Sequence, residues 1–151
     1  MPKPRRLIES FQPSSYELNL RLDGDLALGQ LKILGHKTGR PSHRLTFHQK
    51  DLKVTSAKLI KVDKKGSRPI EVARINPHQS FEEIRLHTSE LLHRGSYEVD
   101  LEFSAKASPE IKKQLEKLRG GATLTQSYRH IFPLIDEPET KAVYNITSQD
   151  D

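Results

Sequence analysis

The chain alternates between apolar and polar residues. Tyr97, Val99, Leu101 and Phe103 are separated by Glu98, Asp100 and Glu102, and the same period of two runs through Tyr16, Leu18, Leu20 and Leu22 around Glu17, Asn19 and Arg21. Successive side chains of an extended backbone point to opposite faces, so this pattern builds strands with one buried and one wet face. Turn residues cut it into short pieces. Asp23-Gly24-Asp25 sits between the first strand and a second over 26–34, which predicts an antiparallel hairpin. The stretch 35–42, with Gly39 and Pro41, reads as loop. A short strand around Leu45 and Phe47 and a long one from Leu52 to Val62 follow, closed by the turn Asp63-Lys64-Lys65-Gly66. Residues 70–75 and 81–87 read as two further short strands parted by Asn76-Pro77, and Gly95 marks the turn before the strand at Tyr97.

One segment changes period. Ile111, Leu115 and Leu118 fall on one face of a helix over 109–119. Ser108 suits its N-cap, Pro109 its first position, Glu110 its first turn, Lys117 and Arg119 its last, and Gly120-Gly121 its end. Residues 123–147 return to extended structure around a proline-rich centre. The expected fold is mainly antiparallel β, a sandwich or open barrel of about seven to nine strands with one short helix. With 151 residues, one domain is expected over 15–148, after a basic, proline-containing segment at 1–14 and before a tail at 149–151. No repeat and no low-complexity tract interrupts it.

Composition removes several kinds of chemistry. The absence of cysteine excludes a thiolate nucleophile, a cysteinyl zinc site and a redox pair. The amino terminus lacks the apolar run of a signal peptide or spanning helix, so a cytoplasmic protein without membrane contact is expected. Lys and Arg number 25 against 20 Asp and Glu, a net charge of +5, and the excess is spread over 3–6, 58–68 and 106–119 among acids and turn residues. Nucleic-acid binding by that basic surface is therefore a minor alternative.

The seven histidines, His36, His43, His48, His78, His87, His93 and His130, include no His-Glu-x-x-His string, and none falls in the predicted helix. They read as loop and strand-surface residues, and no metal site is expected. No Gly-x-Ser-x-Gly elbow and no phosphate-binding glycine loop occurs. Asp136-Glu137 is an adjacent pair whose members point to opposite faces of an extended chain, which makes it a turn or interface element before an acid/base dyad. Tyr16, Phe47, Tyr97 and Phe103 lie on alternating apolar faces and are expected in the core.

Several segments, in order, resemble the amino-terminal domain of zinc metallo-aminopeptidases of the aminopeptidase N and leukotriene hydrolase type. Tyr16-Glu17-Leu18-Asn19-Leu20 resembles its opening Tyr-x-Leu-x-Leu strand. Leu28-Gly29-Gln30-Leu31-Lys32-Ile33 is similar to the following Phe-x-Gly-x-Val-x-Ile, with the glycine shifted by one residue. Residues 45–54 resemble Ile-x-Leu-His-x-x-x-Leu-x-Ile, and 92–103 resemble Leu-x-x-Gly-x-Tyr-x-Leu-x-Ile-x-Phe. The most specific likeness is Arg129-His130-Ile131-Phe132-Pro133-Leu134-Ile135-Asp136-Glu137-Pro138-Glu139-Thr140-Lys141-Ala142-Val143-Tyr144, which is similar to Arg-x-x-Phe-Pro-Cys-x-Asp-Glu-Pro-x-x-Lys-Ala-x-Phe.

The resemblance implies a saddle-shaped β domain that docks on a thermolysin-like catalytic domain, in cis or in trans, and lends one loop to the substrate cleft. The zinc and its helix belong to that catalytic domain in the family, so no cofactor and no catalytic residue is expected in this chain, which alone is expected to be inactive. Gln126 is the position that matches the family's substrate loop. After Thr125-Gln126 only Ser127 and Tyr128 precede Arg129, so the glutamate that grips a substrate amine in the family has no counterpart. Arg129, Phe132, Pro133, Leu134, Ile135, Asp136 and Glu137 are the expected domain-interface residues. Exposed apolar side chains at 132–135 also allow a stand-alone module that forms a homodimer or binds another chain.

Overall fold

The computed structural model describes residues 7, 10–23, 25–49, 52–78, 82–106, 133 and 143–150. They form nine strands: β1 (Phe11–Asp23), β2 (Leu26–Lys37), β3 (Ser42–His48), β4 (Lys53–Asp63), β5 (Gly66–Ile70), β6 (Val72–His78), β7 (Glu83–Leu92), β8 (Gly95–Lys106) and β9 (Val143–Asp150). A six-stranded sheet runs β5-β4-β8-β2-β1-β9, and a three-stranded sheet runs β3-β7-β6. Both sheets are open. All pairings are antiparallel except that of β9 with β1, which is parallel and sets Tyr144 beside Tyr16.

Local chemistry fixes the turns. Between β4 and β5 the Asp63 carboxylate accepts a hydrogen bond from the Lys65 N–H at 2.9 Å, and Gly66 takes the positive φ of 131° that closes the hairpin. After β3, the buried Gln49 side chain accepts from the Leu52 N–H at 3.0 Å and donates to the Glu83 carbonyl at 3.4 Å. An inward amide at this bend satisfies backbone groups that would otherwise be buried unpaired.

The alternation delivers one apolar face from each sheet to a shared core. Tyr16, Leu18 and Leu20 of β1, Leu31 and Ile33 of β2, Leu59 of β4 and Tyr97, Val99, Leu101 and Phe103 of β8 are buried, as are Leu45, Phe47, Ile84 and Leu86 of the smaller sheet. Phe11 meets Phe47 edge to face, with ring centroids 5.7 Å apart and planes at 75°. Each such fully buried side chain contributes about 1.5–3 kcal/mol, and the Phe11–Phe47 contact locks β1 of one sheet to β3 of the other. The buried Tyr97 hydroxyl donates to the His93 carbonyl at 2.7 Å, which pins the turn before β8.

Four sequence expectations change. β2 continues through Gly35 to Lys37, so the loop begins three residues later than the glycine implies. Asn76-Pro77 does not break a strand: β6 runs through both, because β6 is an edge strand and tolerates a residue without an N–H. The turn falls after it, where Glu82 adopts a φ of 52°. β1 begins at Phe11, and Leu7 and Phe11 join the core, so the strand starts inside the segment assigned to the amino-terminal extension. His48, expected on a surface, is buried. The helix predicted at 109–119 lies outside the described residues.

Candidate functional site

The polar residues between the apolar ones build the outer face of the six-stranded sheet. Strand register sets Glu17, Lys32, Asp100 and Lys58 in one row across β1, β2, β8 and β4, so charge alternates in sign from strand to strand. Directly opposed opposite charges each contribute roughly 0.2–1 kcal/mol. The neighbouring row carries Asn19, Gln30, Glu102 and Ser56. A bulge at Thr55, whose hydroxyl donates to the Glu102 carbonyl at 3.2 Å, bends β4 beside these residues. The result is an open trough of about 700 Å³, lined by Asn19, Leu28, Gln30, Thr55, Glu102 and Ser104 among others.

Glu98 and Asp100 follow one another on this same face. Burial, and then a hydrogen bond with and repulsion by the Asp100 carboxyl, push the Glu98 pKa above its ordinary value, while Lys32 opposes the shift. Lys32 Nζ lies 4.0 Å from the Glu98 carboxylate. One oxygen of Asp100 is buried without a hydrogen-bond partner, the kind of uncompensated acceptor that costs stability. Farther along, the Ser96 hydroxyl and His36 Nδ1 are 3.0 Å apart on an exposed part of the sheet. His36 makes no other hydrogen bond among the described residues, so the pair lacks the third group that would orient a general base.

The outer face of the smaller sheet is basic. Arg44 of β3 and Arg74 of β6 both pair in register with His87 of the central strand β7, and Arg85 lies one row away beside Thr46 and Asn76. Burial, then Arg74, Arg44 and Arg85 in turn, hold the His87 pKa below its ordinary value. Arg85 donates to the Glu83 carboxylate at 3.1 Å. At the end of β2, Lys37 is buried and donates to the carbonyls of Thr38 at 3.3 Å and Arg40 at 3.1 Å, while Arg94 donates to the Gly39 carbonyl at 2.8 Å. Two cations thus hold the loop after β2, and burial followed by repulsion from Arg94 lowers the Lys37 pKa. An exposed ion pair, Arg68 to Glu90 at 2.7 Å, links β5 to β7 and so joins the two sheets at their rim.

Of the residues expected at the site, Pro133 is described, and it is buried. Its ring therefore adds nothing to an exposed apolar surface. Gln126, Arg129, Phe132, Leu134, Ile135, Asp136 and Glu137 lie outside the described residues. The motif that ends at Tyr144 runs into β9, and the sheet fixes that end by parallel pairing with β1.

A family model for the Peptidase M1 N-terminal domain matches residues 12–151. The chain belongs to this family. The first four segments that resemble it fall in order on β1, β2, the β3–β4 bend and β8 of this Peptidase M1 N-terminal domain, and the last two residues of the fifth, Val143 and Tyr144, open β9. A comparison with curated proteins gives no match.

The zinc that such enzymes carry does not fit the side chains described here. Among the described residues no three His, Asp or Glu side chains are grouped to hold a metal. Sequence reasoning did not find the Glu98–Asp100 pair, the Lys37 clamp or the arginines around His87. Glu98 and Asp100 carried a signal, since alternate positions of a strand share a face. The arginines carried none, because 30 residues of chain and a register separate Arg44 from Arg74.

Proposed function

We propose that this Peptidase M1 N-terminal domain is a non-catalytic module that docks on an aminopeptidase catalytic domain, in cis or in trans, and lends the stretch around Gln126 to the peptide-binding cleft. The observation that carries this reading is the family match across residues 12–151. In this arrangement, Arg129, Phe132, Leu134, Ile135, Asp136 and Glu137 face the catalytic domain. The metal and the hydrolytic water are then supplied by the partner, and this chain's role is to shape and close the cleft.

The test mixes the chain with a separately produced aminopeptidase catalytic domain of the same family and measures association by light scattering. A stoichiometric complex that Phe132→Asp weakens, with a changed KM for a fluorogenic amino-acid amide, supports the reading. Chelator-sensitive release of the fluorophore by the chain alone, or no complex at ~100 μM of each component, would refute it.

A second reading, self-association, is favoured by exposed apolar side chains on the larger sheet. Leu34 is 37% and Val62 41% exposed on its outer face, with Ile60 beside Val62's row. A dimer by sedimentation that Leu34→Glu dissociates supports it, and a strict monomer disposes of it.

A further inference from the structure

We propose that the polar trough on the outer face of the six-stranded sheet is a binding site for a neutral, hydroxyl-rich ligand, a short oligosaccharide chain. The inference goes beyond docking on a catalytic domain and does not depend on it. Strand register brings Asn19, Gln30 and Glu102 side by side on β1, β2 and β8, at intervals of about 4.8 Å, so the row spans roughly 10 Å. All three residues are exposed, and their side chains make no hydrogen bond among the described residues. The Thr55 hydroxyl gives its proton to the Glu102 carbonyl and keeps its lone pairs for an incoming donor.

The chemistry of the lining points to an uncharged occupant. A primary amide donates and accepts, as a hydroxyl does, so Asn19, Gln30 and the Glu102 carboxylate together can satisfy neighbouring hydroxyls of a sugar ring in both senses. Leu26, 45% exposed, and Leu28 line the same trough and offer apolar contact to the C–H face of a ring. Charge is balanced. Arg21 stands against Glu102 in the trough, and a hollow of about 370 Å³ that shares Asn19, Gln30 and Glu102 with it sets Glu17 and Asp100 against Lys32 and Lys58. A polyanion or a polycation therefore meets repulsion as well as attraction along this path, whereas a neutral chain of two or three rings does not. An incoming peptide cannot join the sheet here, because β1, β2 and β8 are each paired on both edges. Only side chains are left to make contacts, and these are the groups that recognise hydroxyls.

The test titrates cellotriose and maltotriose into the isotope-labelled 151-residue chain and follows two-dimensional NMR spectra. Saturable shifts with either sugar, centred on the side-chain amides of Asn19 and Gln30 and with a Kd on the order of 1 mM, support the proposal when Gln30→Ala raises Kd about tenfold and Arg74→Gln on the smaller sheet leaves it unchanged. Gln30 is exposed, so its truncation leaves the core intact, and the dispersion of the remaining peaks checks this. No shift with either sugar at ~50 mM, or shifts that Gln30→Ala leaves in place, would overturn it. The same shifts from glycerol at equal hydroxyl concentration would mark a general polyol effect, and tighter binding of spermine or hexaglutamate at ~50 mM salt would assign a charged-ligand surface. Either result overturns the oligosaccharide reading. Association with a catalytic domain is read separately by light scattering, so the two readings fail independently.

Discussion

Replacing Gly29 by alanine puts a methyl group into the Phe103 ring. Gly29 and Phe103 are direct cross-strand partners on β2 and β8, and a Cβ at Gly29 would lie 2.3, 2.6 and 2.8 Å from Cζ, Cε1 and Cε2 of that ring. Phe103 is 3% exposed and packed into the core, so the ring cannot swing aside without opening a void. Overpacking of this kind costs about 1–3 kcal/mol. The alanine recovers about 0.4–1 kcal/mol by restricting the unfolded chain. Three contacts under 3 Å put the cost in the upper half of the overpacking range, about 2–3 kcal/mol, so the net loss is about 1–2.6 kcal/mol, which in a chain of this size lowers Tm by about 2–10 °C. All three clashing atoms lie beyond Cδ, where a leucine side chain ends. Gly29→Ala combined with Phe103→Leu is therefore destabilised less than the sum of the two single changes, by about 1 kcal/mol or more. Urea denaturation followed by circular dichroism measures all four members of the cycle. A Gly29→Ala protein within ~0.5 kcal/mol of wild type, or a strictly additive double variant, would refute the packing argument.

Other expectations follow from the electrostatics. Glu98 titrates above its ordinary value in the folded chain, so just above that value the native state holds more proton than the unfolded one, and stability falls as pH rises through the window. Glu98→Gln should raise Tm at pH 7 and converge with wild type near pH ~4, as read by calorimetry; a lower Tm at pH 7 would mean that the contact with Lys32 outweighs burial and Asp100. His87 has the opposite sign. Its depressed pKa gives stability that is present above the ordinary imidazole value near ~6.5 and lost as pH falls below it, so His87→Gln should flatten the decline in Tm between about pH 7 and 5. Arg68→Gln should barely move Tm, and what change it makes should vanish in ~0.5 M salt, because the Arg68–Glu90 pair is solvent-screened. A large, salt-insensitive loss would show that this tie between the sheets bears more of the fold than an exposed pair can.

What could be read from the chain was what one strand encodes by itself. The period of two at Tyr97 to Phe103 and at Tyr16 to Leu20 placed the core faces, and Asp63 to Gly66 carried its own turn chemistry. Pairing was not legible, because register depends on bulges and on partners far away in sequence. Gly29 shows the difference. It differs by one position from the glycine of the family pattern, and the reason for a glycine there is Phe103, more than 70 residues onward. Asn76-Pro77 misled for the same reason: a proline is a break or an edge residue depending on which side of the strand is unpaired. The basic row was hidden because Arg44, Arg74 and His87 sit on three separate strands. Only the sheet order β3-β7-β6 makes them neighbours.

The parallel pairing of β9 with β1 bears on how the domain is made. Tyr16 and Tyr144 are partners roughly 130 residues apart, and closing a loop of that length costs on the order of 4 kcal/mol of chain entropy before any contact repays it. On a ribosome, β1 emerges before β2 and can pair with it, but its other flank has no strand to pair with until β9 has been synthesised. During that interval a long row of unpaired amides and carbonyls faces solvent or a chaperone. Yield at the bench should therefore depend on translation speed and growth temperature more steeply than the equilibrium stability of the finished domain would indicate.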